Sequence, residues 1–205
     1  MTYFFGGPPH LYKYLAMPRA GDSAGEAKVR DILIAHNFFL SDPQSLGDPY
    51  ECPPGADPAL RVFCLAKRSD SVLMWSRYAE HHTGFALRFV TKDPLIAEAT
   101  PVEYATSRRM ADPRARGAPD KRKALLLKSR DWKYEEEYRI VRPAASDPML
   151  PFNPAALTSV IFGIAMPEAD KARVRGWCAE GGLNVKFYQA SDDRSSFSVG
   201  MTEAG

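Results

Sequence analysis

Apolar positions along the chain fall into short runs whose period changes several times. "LYKYL" (11–15) reads as an opening strand behind a Gly-Gly-Pro-Pro lead that excludes regular structure. In "AGEAKVRDILIAHN" (24–37), Val29, Ile32 and Leu33 recur at helical spacing behind Asp22 or Ser23 as N-cap, predicting a helix that ends near Asn37. "FFLS" (38–41) and "LRVFCLA" (60–66) read as strands, "SVLMWSRYAEHH" (71–82) as a helix, and "GFALRFV" (84–90) as a strand. "PVEYA" (101–105) predicts a strand and "KALLLKS" (123–129) a helix. Toward the end come a buried strand "LTSVIFG" (157–163), a helix "EADKARVRGWCAEG" (168–181) stopped by Gly181-Gly182, and a strand "NVKFYQA" (184–190). Strands outnumber helices in mixed order, which predicts an α+β fold. Between elements, 42–59 and 106–122 read as long loops; five prolines in the 17 residues "DPQSLGDPYECPPGADP" forbid regular structure there. Connections of this length tend to carry function.

Length narrows the picture: 205 residues bury one sizeable core, so a single domain with its core at 11–190 is expected. The 45% hydrophobic and 25% charged composition is that of a globular chain. No apolar run reaches membrane-spanning length and "MTYFFGGPPH" lacks a signal-peptide pattern, so the expected location is the cytoplasm, away from membranes. Cys52, Cys64 and Cys178 form no Cys-x-x-Cys pair and read as reduced, buried thiols. A net charge of +2 gives no global field, but ten of the 27 Lys and Arg residues lie between Arg108 and Lys133. Segment 108–130 is therefore either a solvated loop or a patch that meets the phosphates of DNA or RNA or an acidic face of a protein.

The chemistry-bearing stretch is "DWKYEEEYRIVR" (131–142), ended by Pro143. As a strand it puts Trp132, Tyr134, Glu136, Tyr138 and Ile140 on one face, and Lys133, Glu135, Glu137, Arg139 and Val141 on the other. Glu135 and Glu137 are then same-face neighbours roughly 7 Å apart, close enough to separate each other's protonation if buried. As a helix, Glu135 pairs with Arg139 and the glutamates decorate a surface. In "MWSRYAEHHTGF" (74–85), Met74, Trp75, Tyr78, Ala79 and His82 share a helical face; Met74, Trp75 and Ala79 read as core, while Tyr78 and His82 carry polar atoms that need partners. Phosphate-loop, dinucleotide-fold, zinc-protease and nucleophile-elbow motifs are absent, and the adjacent His81 and His82 point about 100° apart on a helix, a poor metal pair.

In order, these segments resemble an uncharacterised, largely bacterial group, domain-of-unknown-function family 2971. "LYKYL" is similar to its Tyr-Lys-Tyr strand, "FFLSDPQSLGDPYEC" to its Leu-x-Phe-Ser and Phe-Asn-Asp-Pro-Phe-Glu loop, and "VFCLAKRSDSVLMWSRYAEHHTGFALRF" to its Cys-Phe-Ser and Met-Trp-Ser-His-Tyr-Ala block. "KSRDWKYEEEYRIV" matches its Lys-x-x-x-Trp-x-Tyr-Glu-x-Glu-x-Arg signature, and "SVIFGIAM" its late strand. Gly47, Ala66 and Arg77 depart from the usual Asn, Ser and His. The layout in turn resembles ADP-ribosyltransferase-like folds, which implies split mixed or antiparallel sheets with a few flanking helices and NAD in a cleft. On that resemblance Glu137 is the catalytic glutamate and Glu135 its partner toward the acceptor. Tyr12, Lys13, Tyr14, Ser41, Tyr78 and His82 would contact NAD. Asp48, Trp75, Lys128, Trp132 and Arg139 would contact the substrate. The implied activity is transfer of ADP-ribose to a nucleic acid or protein, or hydrolysis of NAD, in bacterial defence or toxicity. Two other readings stay open: a non-catalytic nucleotide or nucleic-acid binder using Arg122 and Lys123, and a nuclease with Asp48, Glu135 and Glu137 on a divalent metal.

Overall fold

The computed structural model describes residues 7–46, 48, 59–107, 121–144, 148–193 and 197–204. Along the chain run β1 (His10–Leu15), α1 (Ser23–Leu33), β2 (Asn37–Phe39), β3 (Leu60–Ala66), α2 (Val72–Tyr78), β4 (Phe85–Val90), β5 (Thr100–Pro101) and β6 (Glu103–Ala105). There follow α3 (Lys121–Ala124), β7 (Leu127–Ser129), β8 (Glu137–Pro143), β9 (Met149–Pro151), β10 (Leu157–Phe162), α4 (Glu168–Glu180), β11 (Lys186–Asp192) and β12 (Val199–Glu203). This is an α+β domain: one eight-stranded mixed sheet ordered β12-β11-β10-β4-β1-β3-β8-β5, with two-stranded ribbons β2-β9 and β6-β7. Among the described residues no helix is long and apolar enough to cross a membrane.

Period two along each central strand builds both faces of the sheet. Phe85, Leu87 and Phe89 of β4 join Phe63, Leu65 and Ile140 in the larger core, against Val29, Ile32 and Leu33 of α1 and Val174 and Trp177 of α4. Phe38 of β2 and Phe152, which follows β9, close this core by stacking at 4.3 Å, and Phe38 also stacks on Phe63 at 4.1 Å. The alternate positions Tyr14, Ala66, Ala86 and Ile161 face the other way and bury Met74, Trp75 and Ala79 of α2 and its C-terminal turn. Helix starts follow capping chemistry: Asp22 accepts from the Gly25 N–H, and Ser71 from the Met74 N–H.

The sheet is weakest at its middle. β1 pairs with β4 at all six residues, but with β3 only at Tyr12–Ala66. On that edge of β3, Val62 bonds instead to Ser41. Between these two bridges the Cys64 carbonyl accepts from the Lys13 ammonium at 3.1 Å. A side chain thus stands where a strand neighbour would be, and the sheet parts into a five-strand and a three-strand portion around it.

Three local expectations change. The helix over 123–129 is cut to Lys121–Ala124: Leu125 is buried, and Leu127–Ser129 runs parallel to β6 instead. The helix over 71–82 stops at Tyr78, after which Glu80, His81 and His82 take left-handed φ values of 44°, 53° and 68°. The stretch 131–142 is neither wholly strand nor wholly helix. A 3-10 helix covers Arg130–Glu135, Glu136 turns at φ 41°, and β8 begins at Glu137. Strands β9 and β12 were unread in the sequence, because β9 is only three residues long and β12 has only two apolar residues in five. Most of 42–59 and 106–122, with Gly47, lies outside the described residues.

Two glycines give opposite expectations. A Cβ on Gly163 would lie 2.1 Å from the His82 carbonyl oxygen and 2.7 Å from that of Gly84, whereas one on Gly176, inside α4, meets nothing within 4 Å. Thermal denaturation is expected to show Gly163→Ala destabilised by about 1–3 kcal/mol, and Gly176→Ala stabilised by about 1 kcal/mol.

Candidate active site

The parting between β1 and β3 opens into a cleft of about 160 Å³. Its location follows from strand registry: Tyr12, Ala66 and Glu137 sit side by side across β1, β3 and β8. Tyr12, Tyr14, Lys13 and Ser41 line one side, Tyr78 and Trp132 another, and Asp48, Lys128, Glu135 and Glu137 complete it. The structure therefore brings together ten of the residues singled out in the sequence.

Both glutamates converge on Lys128 despite the break at Glu136. Lys128, itself buried, donates from one ammonium to Glu135 Oε2 and, at 3.1 Å, to Glu137 Oε2. Glu135 Oε1 accepts from the Tyr78 hydroxyl. Glu137 is gripped by Arg139 through Nε to Oε1 at 2.7 Å and Nη2 to Oε2 at 2.8 Å, a bidentate pair in which Arg139 is 1% exposed. The third arm of Arg139 donates to the Leu125 carbonyl at 2.7 Å. Glu136, between the two, points to the surface beside Lys67 and Arg68.

These surroundings push the two carboxyls apart. Burial raises the Glu135 carboxyl above its ordinary value, only partly offset by Lys128 and Tyr78. Burial acts on Glu137 too, but the Arg139 guanidinium and then Lys128 outweigh it and hold the group at about 2. Glu137 is thus a fixed anion and Glu135 the carboxyl readier to hold a proton. Burial, together with the Glu135 hydrogen bond and charge, raises the Tyr78 hydroxyl, and burial beside Glu137 keeps the Cys64 thiol protonated.

A pH dependence follows. The folded Glu137 lies below its unfolded value of 4.5, so it contributes about 3 kcal/mol above pH 4.5 that is lost as pH falls toward 2. Glu135, shifted upward, has the opposite sign: its contribution is present below pH 4.5 and lost as pH rises past it. Urea midpoints are expected to drop through the acid window in wild type, and this drop is expected to shrink in Glu137→Gln.

Other expected members take different places. Trp75 is fully buried, with its indole N–H on the Ser69 carbonyl at 2.7 Å, so it is core rather than cleft. His82 stacks on Trp75, and burial lowers its imidazole; the turn that ends α2 carries it away from the cleft. Arg139 lies behind Glu137, outside the lining, and acts on the carboxylate rather than on a ligand. Tyr14 reaches the cleft with its ring, but its hydroxyl is committed to the Arg68 carbonyl. Lys13 is committed to Cys64 and lies 4.8 Å from the Phe63 ring centre.

Sequence reasoning missed Tyr104, whose hydroxyl accepts from the Glu137 N–H at 2.8 Å, and Cys64, a thiol partner of the Glu137 carboxylate. It also missed Arg77, stacked on Trp132 at 4.1 Å. The first two contacts arise from strand placement, which leaves no local signature.

The chain matches no protein-family model, no curated protein and no solved structure.

Proposed function

We propose that the cleft cleaves the nicotinamide–ribose bond of NAD and transfers ADP-ribose to an acceptor, as an ADP-ribosyltransferase-like enzyme. One observation carries the reading: two buried carboxylates share Lys128 at the cleft, with environments that drive their protonation in opposite directions. Such a division is what an acid–base group and a fixed charge require. The size agrees with part of the substrate. Pockets for whole drug-sized ligands span roughly 300–1,000 Å³, so about 160 Å³ takes one ring-sized end, walled by Tyr12, Tyr78 and Trp132.

In the reaction the C1′–N bond breaks, and nicotinamide leaves with the bonding pair, neutralising its ring. The ribosyl cation left behind is stabilised by the Glu137 anion, which Arg139 holds in place. An acceptor hydroxyl or amine bonds to C1′, and its proton passes to Glu135, whose raised affinity suits that task. With water as acceptor the product is free ADP-ribose. The resemblance of the layout to ADP-ribosyltransferase-like folds, which hold NAD in a cleft, and the parting of the sheet at β1 and β3 support the same reading.

A second reading, binding without turnover, is favoured by charge balance: Lys128 and Arg139 offset Glu135 and Glu137. Lys128 stands between both carboxylates, and Arg139 beside Glu137, where a nuclease would need its metal. Incubation with NAD separates the readings. Nicotinamide release supports transfer; saturable NAD binding with no release supports binding alone.

A further inference from the structure

A second concavity, about 860 Å³, lies along the β6-β7 ribbon. Tyr104, Thr106 and Ser107 form one wall, and Lys123, Arg130 and Lys133 arrive from α3 and the 3-10 turn. All three cations are exposed. Several other cations face acids, as Lys67 faces Glu136, Arg142 faces Glu98 and Arg173 faces Glu26. Among the described residues Lys123, Arg130 and Lys133 have no such partner, and Glu103 is the one acid in the lining. Three cations against one acid leave two positive charges uncompensated around a hollow. The resulting positive field around the hollow attracts an anion.

The groove also touches the catalytic strand. Tyr104, which walls it, accepts the backbone N–H of Glu137. A molecule lying in the groove is one residue away from the carboxylate pair.

We infer that this groove holds the phosphodiester backbone of a single-stranded nucleic acid, the acceptor in the transfer proposed above; the acceptor role rests on that reading, but the binding does not. Cations spaced along a groove suit the one charge per nucleotide of such a strand, the Thr106 and Ser107 hydroxyls donate to phosphate oxygens, and the Tyr104 ring offers a stacking face for a base. An acidic peptide would match the charges but leave the ring unused. A duplex presents a convex surface that does not enter a groove.

The test is fluorescence anisotropy of labelled single-stranded DNA and RNA of about 12 nucleotides, across a salt series. Lys123→Ser, Arg130→Ser and Lys133→Ser combined, all at exposed positions, are expected to weaken binding and to reduce the salt slope by about 2, at roughly 0.7 for each phosphate no longer neutralised. Tighter binding of either sugar type supports the inference and identifies the acceptor. Nicotinamide release with water as acceptor is expected to be unchanged, because none of the three lines the cleft. Unaltered affinity and slope in the triple variant overturn the inference, as does preference for a duplex or a polyglutamate peptide. Weakened oligonucleotide binding in a protein whose wild type releases no nicotinamide leaves the groove standing and removes the NAD reading.

Discussion

Arg139→Met is expected to cost the fold about 3–5 kcal/mol, because it breaks one side of a buried ion pair and leaves the other charged. Glu137 would keep Lys128 alone as a cationic partner, and the Leu125 carbonyl would lose the donor at 2.7 Å. A domain of ordinary stability holds about 5–15 kcal/mol in total, so the loss is a large share. Urea unfolding monitored by tryptophan fluorescence measures it. Pairing the change with Glu137→Leu is expected to recover much of the loss, since replacing both charges removes the stranded anion. A single variant within about 1 kcal/mol of wild type would show that the bidentate grip on Glu137 adds little to stability.

Glu135→Gln is expected to lower nicotinamide release by a factor of about 10²–10⁴, the usual contribution of a positioned acid–base group. Its fold should survive, because glutamine keeps an acceptor oxygen for the Tyr78 hydroxyl and Lys128 retains Glu137 as its counter-charge. Glu137→Gln is less clean. That glutamate is stabilised as an anion by Arg139 and Lys128, so neutralising it strands positive charge and mixes a stability defect with a chemical one. The two glutamates, equivalent in a strand reading of the sequence, therefore call for different experiments.

Strands β1, β3, β4 and β10 and helix α1 were legible from their apolar patterns, and helix α4 from the Gly181-Gly182 stop that ends it. The glutamate stretch was not, because its break depends on a distant partner: the Glu136 carbonyl accepts from the Lys67 N–H at 3.0 Å while Glu136 turns left-handed. Period-two reading still placed Glu135 and Glu137 together, for the wrong local reason; convergence on Lys128 does what the strand face was expected to do. Trp75 and His82 show the converse. Trp75 takes the core place that the helical face predicted rather than the substrate contact that the resemblance implied, and the left-handed turn at Glu80–His82 carries His82 away from the cleft. The role of Tyr104 was illegible, since its contact with Glu137 arises only when β6 comes beside the start of β8.

The proposed turnover of NAD at the parting of β1 and β3, with Glu135 as acid–base group, has a direct assay. Free nicotinamide measured after incubating NAD with wild type and with Glu135→Gln, each shown folded by circular dichroism, tests it most directly. Steady release by wild type and near-complete loss in the variant are expected. No release by wild type, or equal release by both, contradicts it.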